Sequence, residues 1–292
     1  MTIRNSLSIL YKRYKYYRFV RKAKFKIAST HETIDYIVAH RCSVSRYGDG
    51  EFDVAFGVSK FFQKADPELA ERLRELVNVS EKDFIVCLPH SLLTLKDLRK
   101  ESQKHWTSFV RYNGDKIQIL LKQGRYFDSL FTRFYLDCAD RTTANVTVYS
   151  IKQIWDGRDV YIIEGETTRF GEGNDFLDNA KSVHRILCPS MNAFSKYPEI
   201  LSIAEEKIPK DKNTLVLIAL GMTATIMAYD MYKLGYQAID IGHADIEYCW
   251  WKMKVEDRCP IPHKATFEAD AYGGIGDVND DIYKKQIIAE VK

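Results

Sequence analysis

Asp49 and Glu51 stand two residues apart in Ser43-Val44-Ser45-Arg46-Tyr47-Gly48-Asp49-Gly50-Glu51-Phe52, with Gly48 and Gly50 around them. A pair of carboxylates at this spacing offers hard oxygen ligands suited to Mg²⁺ or Mn²⁺ carried on a diphosphate. Glycines without a Cβ let a ligand come close to the backbone. The same letters have a second reading: Asp-Gly between short apolar runs is a hairpin signal with no chemistry attached.

Three further polar clusters have chemical potential. Leu220-Gly221-Met222-Thr223-Ala224-Thr225 passes from an apolar run into a helical pattern with a glycine at the turn. Free N–H groups and the positive end of a helix dipole make such a turn a phosphate seat, to which Thr223 and Thr225 would add hydroxyls; ordinary capping is the plain alternative. The turn is neither a P-loop nor a G-x-G-x-x-G fingerprint, which weighs against ATP hydrolysis and nicotinamide binding. The loop Glu164–Asp175 carries Thr167, Arg169, Gly171, Asn174 and Asp175. Arg169 suits a phosphate, and Asn174 or Asp175 suits ribose or sugar hydroxyls, unless the loop is only a polar surface connection. In Ile241-Gly242-His243-Ala244-Asp245-Ile246-Glu247, His243 is a candidate metal ligand or phosphate contact and Glu247 a candidate general base. A lone histidine is more often structural.

The elements that must position these groups alternate between strands and helices. Apolar runs at Phe84–Leu88, Asp159–Ile163, Arg185–Cys188, Thr214–Leu220 and Ala238–Ile241 predict buried strands, and Ser43–Tyr47 predicts another. Helical patterns cover His31–His40, the stretch opened by Asp66-Pro67-Glu68, most of 91–122, Ser195–Glu206, and the segment after Thr225 up to Leu234. Phe127–Leu136 is ambiguous between strand and helix. The alternation predicts an α/β fold, a single Rossmann-like domain with a mostly parallel sheet covered by helices. All four polar clusters fall where strands end, the place where open α/β sheets bind ligands. Gly273-Gly274-Ile275-Gly276 reads as the start of a flexible tail.

Length, 46% hydrophobic and 28% charged residues fit a soluble globular protein. No apolar run is long enough to span a bilayer, and the N-terminus lacks the features of a secretory signal. Six scattered cysteines without a C-x-x-C pair read as buried thiols in a reducing cytoplasm, and they argue against zinc. The net charge of +3 conceals an asymmetry: residues 1–31 hold nine Lys/Arg and no acid, so the rest of the chain carries −6. Within this arm Leu7, Leu10, Tyr14, Tyr17, Phe25 and Ile27 alternate with cations such as Arg4. The pattern fits an anionic membrane surface, a basic helix packed on the body, or base stacking in nucleic acid. The domain expectation is a basic amphipathic arm over 1–30 and one domain over 31–292.

The blocks Ser43–Glu51, Glu164–Asp175, Leu220–Thr225 and Ala238–Tyr248 together resemble, in order, the signature blocks of the GT-D-fold glycosyltransferases. The resemblance implies a Rossmann-like domain that transfers a sugar, glucose in the best-known case, from a UDP-sugar. It implies that an Asp-x-Glu motif, here Asp49 and Glu51, holds Mn²⁺ or Mg²⁺. Met222 departs from the pattern, where proline is expected. The reading that follows has Asp49, Glu51 and His243 on the metal, and Glu247 or Asp245 as base. Arg46, Gly48, Thr167, Arg169, Gly171, Asn174, Asp175, Gly221, Thr223 and Thr225 would line the nucleotide-sugar site. The acceptor would be a growing glycan on a protein or lipid carrier. A cytoplasmic location is expected, with peripheral contact at the inner membrane face through residues 1–30, and no nucleic acid partner. A metal-dependent nucleotide-sugar phosphohydrolase and a non-enzymatic nucleotide- or nucleic-acid-binding module are the alternatives.

Overall fold

The most hydrophobic strand divides its side chains between two cores. Leu215 and Leu217 enter one, while Val216 and Ile218 enter the other, as the two-residue period of a strand requires. A computed structural model describes residues 3–292, with side chains from residue 8 onward. Its strands are β1 (Lys26–Ile27), β2 (Ser43–Arg46), β3 (Phe84–Leu88), β4 (Arg125–Asp128), β5 (Asp159–Gly165), β6 (Ser182–Cys188), β7 (Thr214–Ala219), β8 (Ala238–Asp240) and β9 (Ile287–Glu290). They form one sheet in the order β1-β4-β3-β2-β8-β7-β5-β6-β9, and every pairing is parallel.

Parallel neighbours need crossovers, and the crossovers cover both faces. The helices are α1 (Ile3–Lys22), α2 (Thr30–His40), α3 (Asp49–Ala55), α4 (Pro67–Leu76), α5 (Lys100–Leu120), α6 (Ala144–Lys152), α7 (Tyr197–Lys207), α8 (Met222–Lys233), α9 (Ala244–Met253) and α10 (Asp281–Gln286). One core joins Leu69 and Leu73 of α4, Trp106 and Phe109 of α5, and Met227 and Met231 of α8. The other joins Ile34 and Ile37 of α2, Ile151 of α6 and Trp250 of α9. Asp66 caps α4 as its sequence predicts, accepting from the Glu68 and Leu69 N–H groups at 2.9 and 3.1 Å. All six cysteines are free, four of them buried.

The expected single α/β domain with a parallel sheet is the observed architecture. Differences are local. The Asp49-Gly50 turn is no hairpin: it opens α3, so the two carboxylates lie in a first helical turn. Phe127–Leu136 resolves into the end of β4 and a 3-10 turn over Ser129–Thr132. Two residues of β1 at one edge and β9 at the other extend the sheet beyond the expected strands. β9 draws part of the expected tail into register with β6.

The basic N-terminal stretch packs on the body. Tyr16 and Phe19 of α1 are buried, and the Tyr16 hydroxyl donates to the Ser91 carbonyl at 2.9 Å. The Phe19 ring fits against Gly114 of α5, where a Cβ would stand 3.0 Å away, and Gln118 Nε2 donates to the Phe19 carbonyl at 2.9 Å. The side chains of Arg4 and Leu7 lie outside the described residues. Among the described residues no helix is long and apolar enough to cross a membrane.

If α1 is part of the folded unit, Phe19→Ala removes a ring that is 4% exposed and costs about 3–5 kcal/mol. Denaturant unfolding followed by circular dichroism reads this directly. A cost below about 1 kcal/mol would mean that α1 is a loosely held arm.

Candidate active site

β2 and β8, from the two halves of the sheet, meet through a single register pair, Val44 with Ile239. Beyond their carboxyl ends lies a cavity of about 560 Å³. Its floor is an ion pair. Arg46 at the end of β2 donates from Nε to the Asp240 carbonyl (2.7 Å) and from Nη2 to Asp240 Oδ1 (2.9 Å) at the end of β8. Its Nη1 donates to Thr132 Oγ1 at 2.6 Å. Thr225 Oγ1 lies 3.0 Å from the Arg46 carbonyl and 3.2 Å from Asp240 Oδ2. Burial pushes the Asp240 carboxyl up, against the pull of Arg46 and Thr225.

Asp49 and Glu51 stand on the cavity wall in different electrostatic settings. Asp49 Oδ2 is 3.5 Å from His105 Nε2 and 3.8 Å from Lys60 Nζ. Burial acts to raise Asp49, but the hydrogen bond and charge of His105, with Lys60 and Arg133, hold it at about 2. Glu51 turns back on its own helix and accepts from the Gly48 N–H at 2.6 Å. Burial and then the negative charge of Asp240 push Glu51 up to about 7. A cation beside Glu51 would relieve the repulsion from Asp240 that raises it. Among the described residues no three His, Cys, Asp or Glu side chains converge as a complete metal cage. Asp49 and Glu51 are the residues that would hold a divalent ion, whose remaining positions phosphate and water would fill in the usual manner of Mg²⁺.

Arg46, Gly48, Gly221, His243 and Asp245 join Asp49 and Glu51 around the cavity. Gly221 caps α8 at φ 54°, and a Cβ there would stand 2.9 Å from the Phe62 ring. The N-terminus of α8 therefore opens on the cavity at Gly221 and Met222. Burial, helped by the charges of Arg133, Arg46 and Arg258 and opposed by Glu268, pushes His243 down to about 4. This setting favours the neutral imidazole.

The remaining expected residues do structural work nearby. Thr223 is buried with its hydroxyl 3.4 Å from Gln63 Oε1, and Thr225 serves the floor, so neither hydroxyl faces the cavity. Arg169 donates to the carbonyls of His263 and Gly276 at 2.7 and 2.8 Å, clamping the C-terminal segment. Thr167 Oγ1 pairs with Ser190 Oγ at 2.7 Å. Gly171 N–H and Asn174 Nδ2 both donate to Asp245 Oδ1, and Lys264 Nζ holds Asp245 Oδ2 at 2.5 Å. Asp175 accepts from Tyr248 and Lys252 on α9. Glu247 is fully buried away from the cavity, its Oε2 accepting from the Tyr135 and Leu136 N–H groups at 3.0 Å each. The loop Glu164–Asp175 is thus tied to the start of α9, and its polar residues satisfy one another.

The cavity's basic side chains come from positions without a local motif. Lys60, Arg99, His105, Arg133 and Arg258 line it. Glu268, 2.7 Å from Arg133 Nη2 and 3.5 Å from His243 Nε2, closes one side. Only the fold brings these residues together; Phe61, Phe62 and Phe267 supply an aromatic rim.

The family profile of the glycosyltransferase GT-D fold matches residues 44–269. The chain belongs to this family. It is 35% identical over 262 residues to glycosyltransferase GlyD of Streptococcus pneumoniae serotype 4, covering 89% of this chain and 32% of that protein. It is 34% identical over 269 residues to a probable glycosyl transferase Gly of Streptococcus gordonii, covering 92% and 39%. The chain therefore spans about a third of the length of these two relatives. A structure described as a new glycosyltransferase from Streptococcus sanguinis superposes with a TM-score of 0.88 at 35% identity, covering 92% of this chain and all of that one. Another, described as a domain of unknown function with a distinct glycosyltransferase fold, gives 0.90 at 32% identity over 95% of this chain and all of that one.

Burial pushes Glu247 up to about 7, against Arg133 and the two N–H donors. The fold therefore favours its neutral form. Stability contributed below the ordinary value of 4.5 is lost as the pH rises through about 7. Glu247→Gln should be more stable than the parent at pH 8 by on the order of 2 kcal/mol, with the gap closing toward pH 4. Turnover should stay within severalfold. A fall in rate of about 10² or more would return Glu247 to the chemistry.

Proposed function

We propose that this chain transfers a sugar, glucose first among the candidates, from a UDP-sugar to a hydroxyl of a growing glycan on a protein or lipid carrier. The observation that carries the reading is the cavity itself. Beyond the carboxyl ends of a parallel sheet, it sets two carboxylates of a first helical turn beside the open N-terminus of α8 and a group of cations. Family membership and the names of the relatives support glycosyl transfer; the UDP-sugar is what the resemblance to the family implies, and the ion is read from the two carboxylates.

In this reading Asp49 and Glu51 hold Mn²⁺ or Mg²⁺, which would neutralise charge on the leaving diphosphate. The N–H groups at Gly221 and Met222 receive a phosphate along the dipole of α8. Lys60, Arg99 and Arg133 supply positive charge around it. The bond between the anomeric carbon and the diphosphate oxygen breaks, a bond to the acceptor oxygen forms, and UDP leaves. Of the two expected bases, Asp245 alone lines the cavity, so the acceptor proton is assigned to it. Lys264 and the Glu164–Asp175 loop fix its orientation.

Release of UDP from a panel of UDP-sugars, with a glycan acceptor and either Mn²⁺ or a chelator, tests the proposal. UDP-glucose should be turned over with acceptor and metal present, and chelation should lower the rate by on the order of 10² or more. Sugar released only to water would favour the hydrolase alternative. Equal rates with chelator would remove the metal from the mechanism.

A further inference from the structure

Helix α1 has two apolar faces, and the packing of the domain uses only one. Tyr16 and Phe19 point into the body. Leu10, Tyr14 and Tyr17 follow at i, i+4 and i+7, the spacing of a second stripe. They are 64%, 60% and 55% exposed. Exposed Arg13, Arg18 and Arg21 flank this stripe, and α1 contains no acidic residue. Tyr11, also exposed, carries the Arg111 guanidinium 5.1 Å from its ring centroid. The same guanidinium lies 5.1 Å from the ring of exposed Tyr112, which extends the patch onto α5. On α5, Asp115 shares a groove with Lys15, Arg18, Lys22 and Arg111, so cations outnumber it there; tyrosine rings among such an excess of cations suit a boundary that is apolar below and anionic above.

We propose that this outer face of α1 docks the protein on an anionic lipid surface. Charge complementarity and the apolar stripe together select the occupant: the acidic balance of the rest of the chain could meet the arginines but not the exposed Leu10, Tyr14 and Tyr17, whereas anionic headgroups over acyl chains meet both. Docking also has a geometric consequence. Tyr11 lies against Arg111 while Phe19 lies against Gly114 and Gln118, so α1 and α5 run in the same direction. The N-terminal half of α1 therefore lies toward the end of α5 that contributes Glu101, Ser102, His105 and Trp106 to the cavity. A surface held by α1 comes up on that side. The docking itself does not depend on the transferase reading.

Co-sedimentation of the full chain with phosphatidylcholine vesicles, with and without phosphatidylglycerol, tests the proposal. Binding should require phosphatidylglycerol and weaken with salt. The triple variant Arg13→Gln/Arg18→Gln/Arg21→Gln should bind on the order of 100-fold more weakly. Leu10→Ser/Tyr14→Ser/Tyr17→Ser should lose binding as well, because charge alone does not hold an interfacial helix. Both variants should keep the parent melting temperature, since none of the six side chains enters the core. Vesicle binding equal to the parent in both folded variants would overturn the proposal. So would an oligomer that both variants dissociate, which would make a second copy the occupant. Tighter binding to a single-stranded oligonucleotide than to phosphatidylglycerol vesicles, lost in the arginine variant, would make nucleic acid the partner and equally overturn it.

Discussion

The Arg46–Asp240 pair is the constraint on which the site depends. It closes the junction between the two halves of the sheet, where only one residue pair of β2 and β8 is in register. A half-buried guanidinium against a buried carboxylate is stable only when its donors are satisfied, and here they reach β8 and the turn after β4. The pair also dictates its surroundings. A Cβ on Gly242 would stand 1.8 Å from Arg46 Nη2, and Gly242 has φ 48°, so glycine is required at the end of β8. Thr225 couples the same pair to the first turn of α8. One ion pair thereby fixes the relative positions of α3, α8 and the start of α9, the three elements that carry the candidate site.

The electrostatics of that floor also explain why Asp49 and Glu51 differ. Asp49 faces His105 and Lys60 and is a ready anion; burial and the neighbouring Asp240 together push Glu51 up to about 7. Two carboxylates two positions apart in a helical turn need not share an environment. The difference arises from neighbours contributed by α5 and β8, far away in sequence.

The sheet was legible because its evidence is local. Runs such as Phe84–Leu88 and Thr214–Ala219 are buried on both faces, and the caps at Asp66 and Gly221 announce their helices. The strand-end clusters located the cavity, and Asp49, Glu51, Gly221 and His243 do line it. Polarity of a loop could not reveal which way its groups turn. Arg169, Asn174 and Asp175 have the chemistry of ligands, yet they spend it on His263, Asp245, Tyr248 and Lys252. Glu247, two residues beyond Asp245, falls on the opposite side of α9 and supports the Tyr135–Leu136 backbone. Conversely Lys60, His105, Arg133 and Glu268 stand in unremarkable sequence, and tertiary structure alone assigns them to the site. The sequence left the first turn of α3 open between a ligand-holding turn and a hairpin because Asp-Gly serves both, and the structure shows a helix start.

The most direct test of the account is whether the nucleotide and the ion meet at Asp49 and Glu51. Calorimetric titration of UDP into the parent chain, Asp49→Asn and Glu51→Gln, each with and without Mn²⁺, measures it. The account predicts that Mn²⁺ tightens UDP binding to the parent by roughly tenfold or more and has little effect on either variant, because each variant exchanges a charged oxygen ligand for a neutral amide. Metal-dependent UDP affinity unchanged in both variants would contradict it.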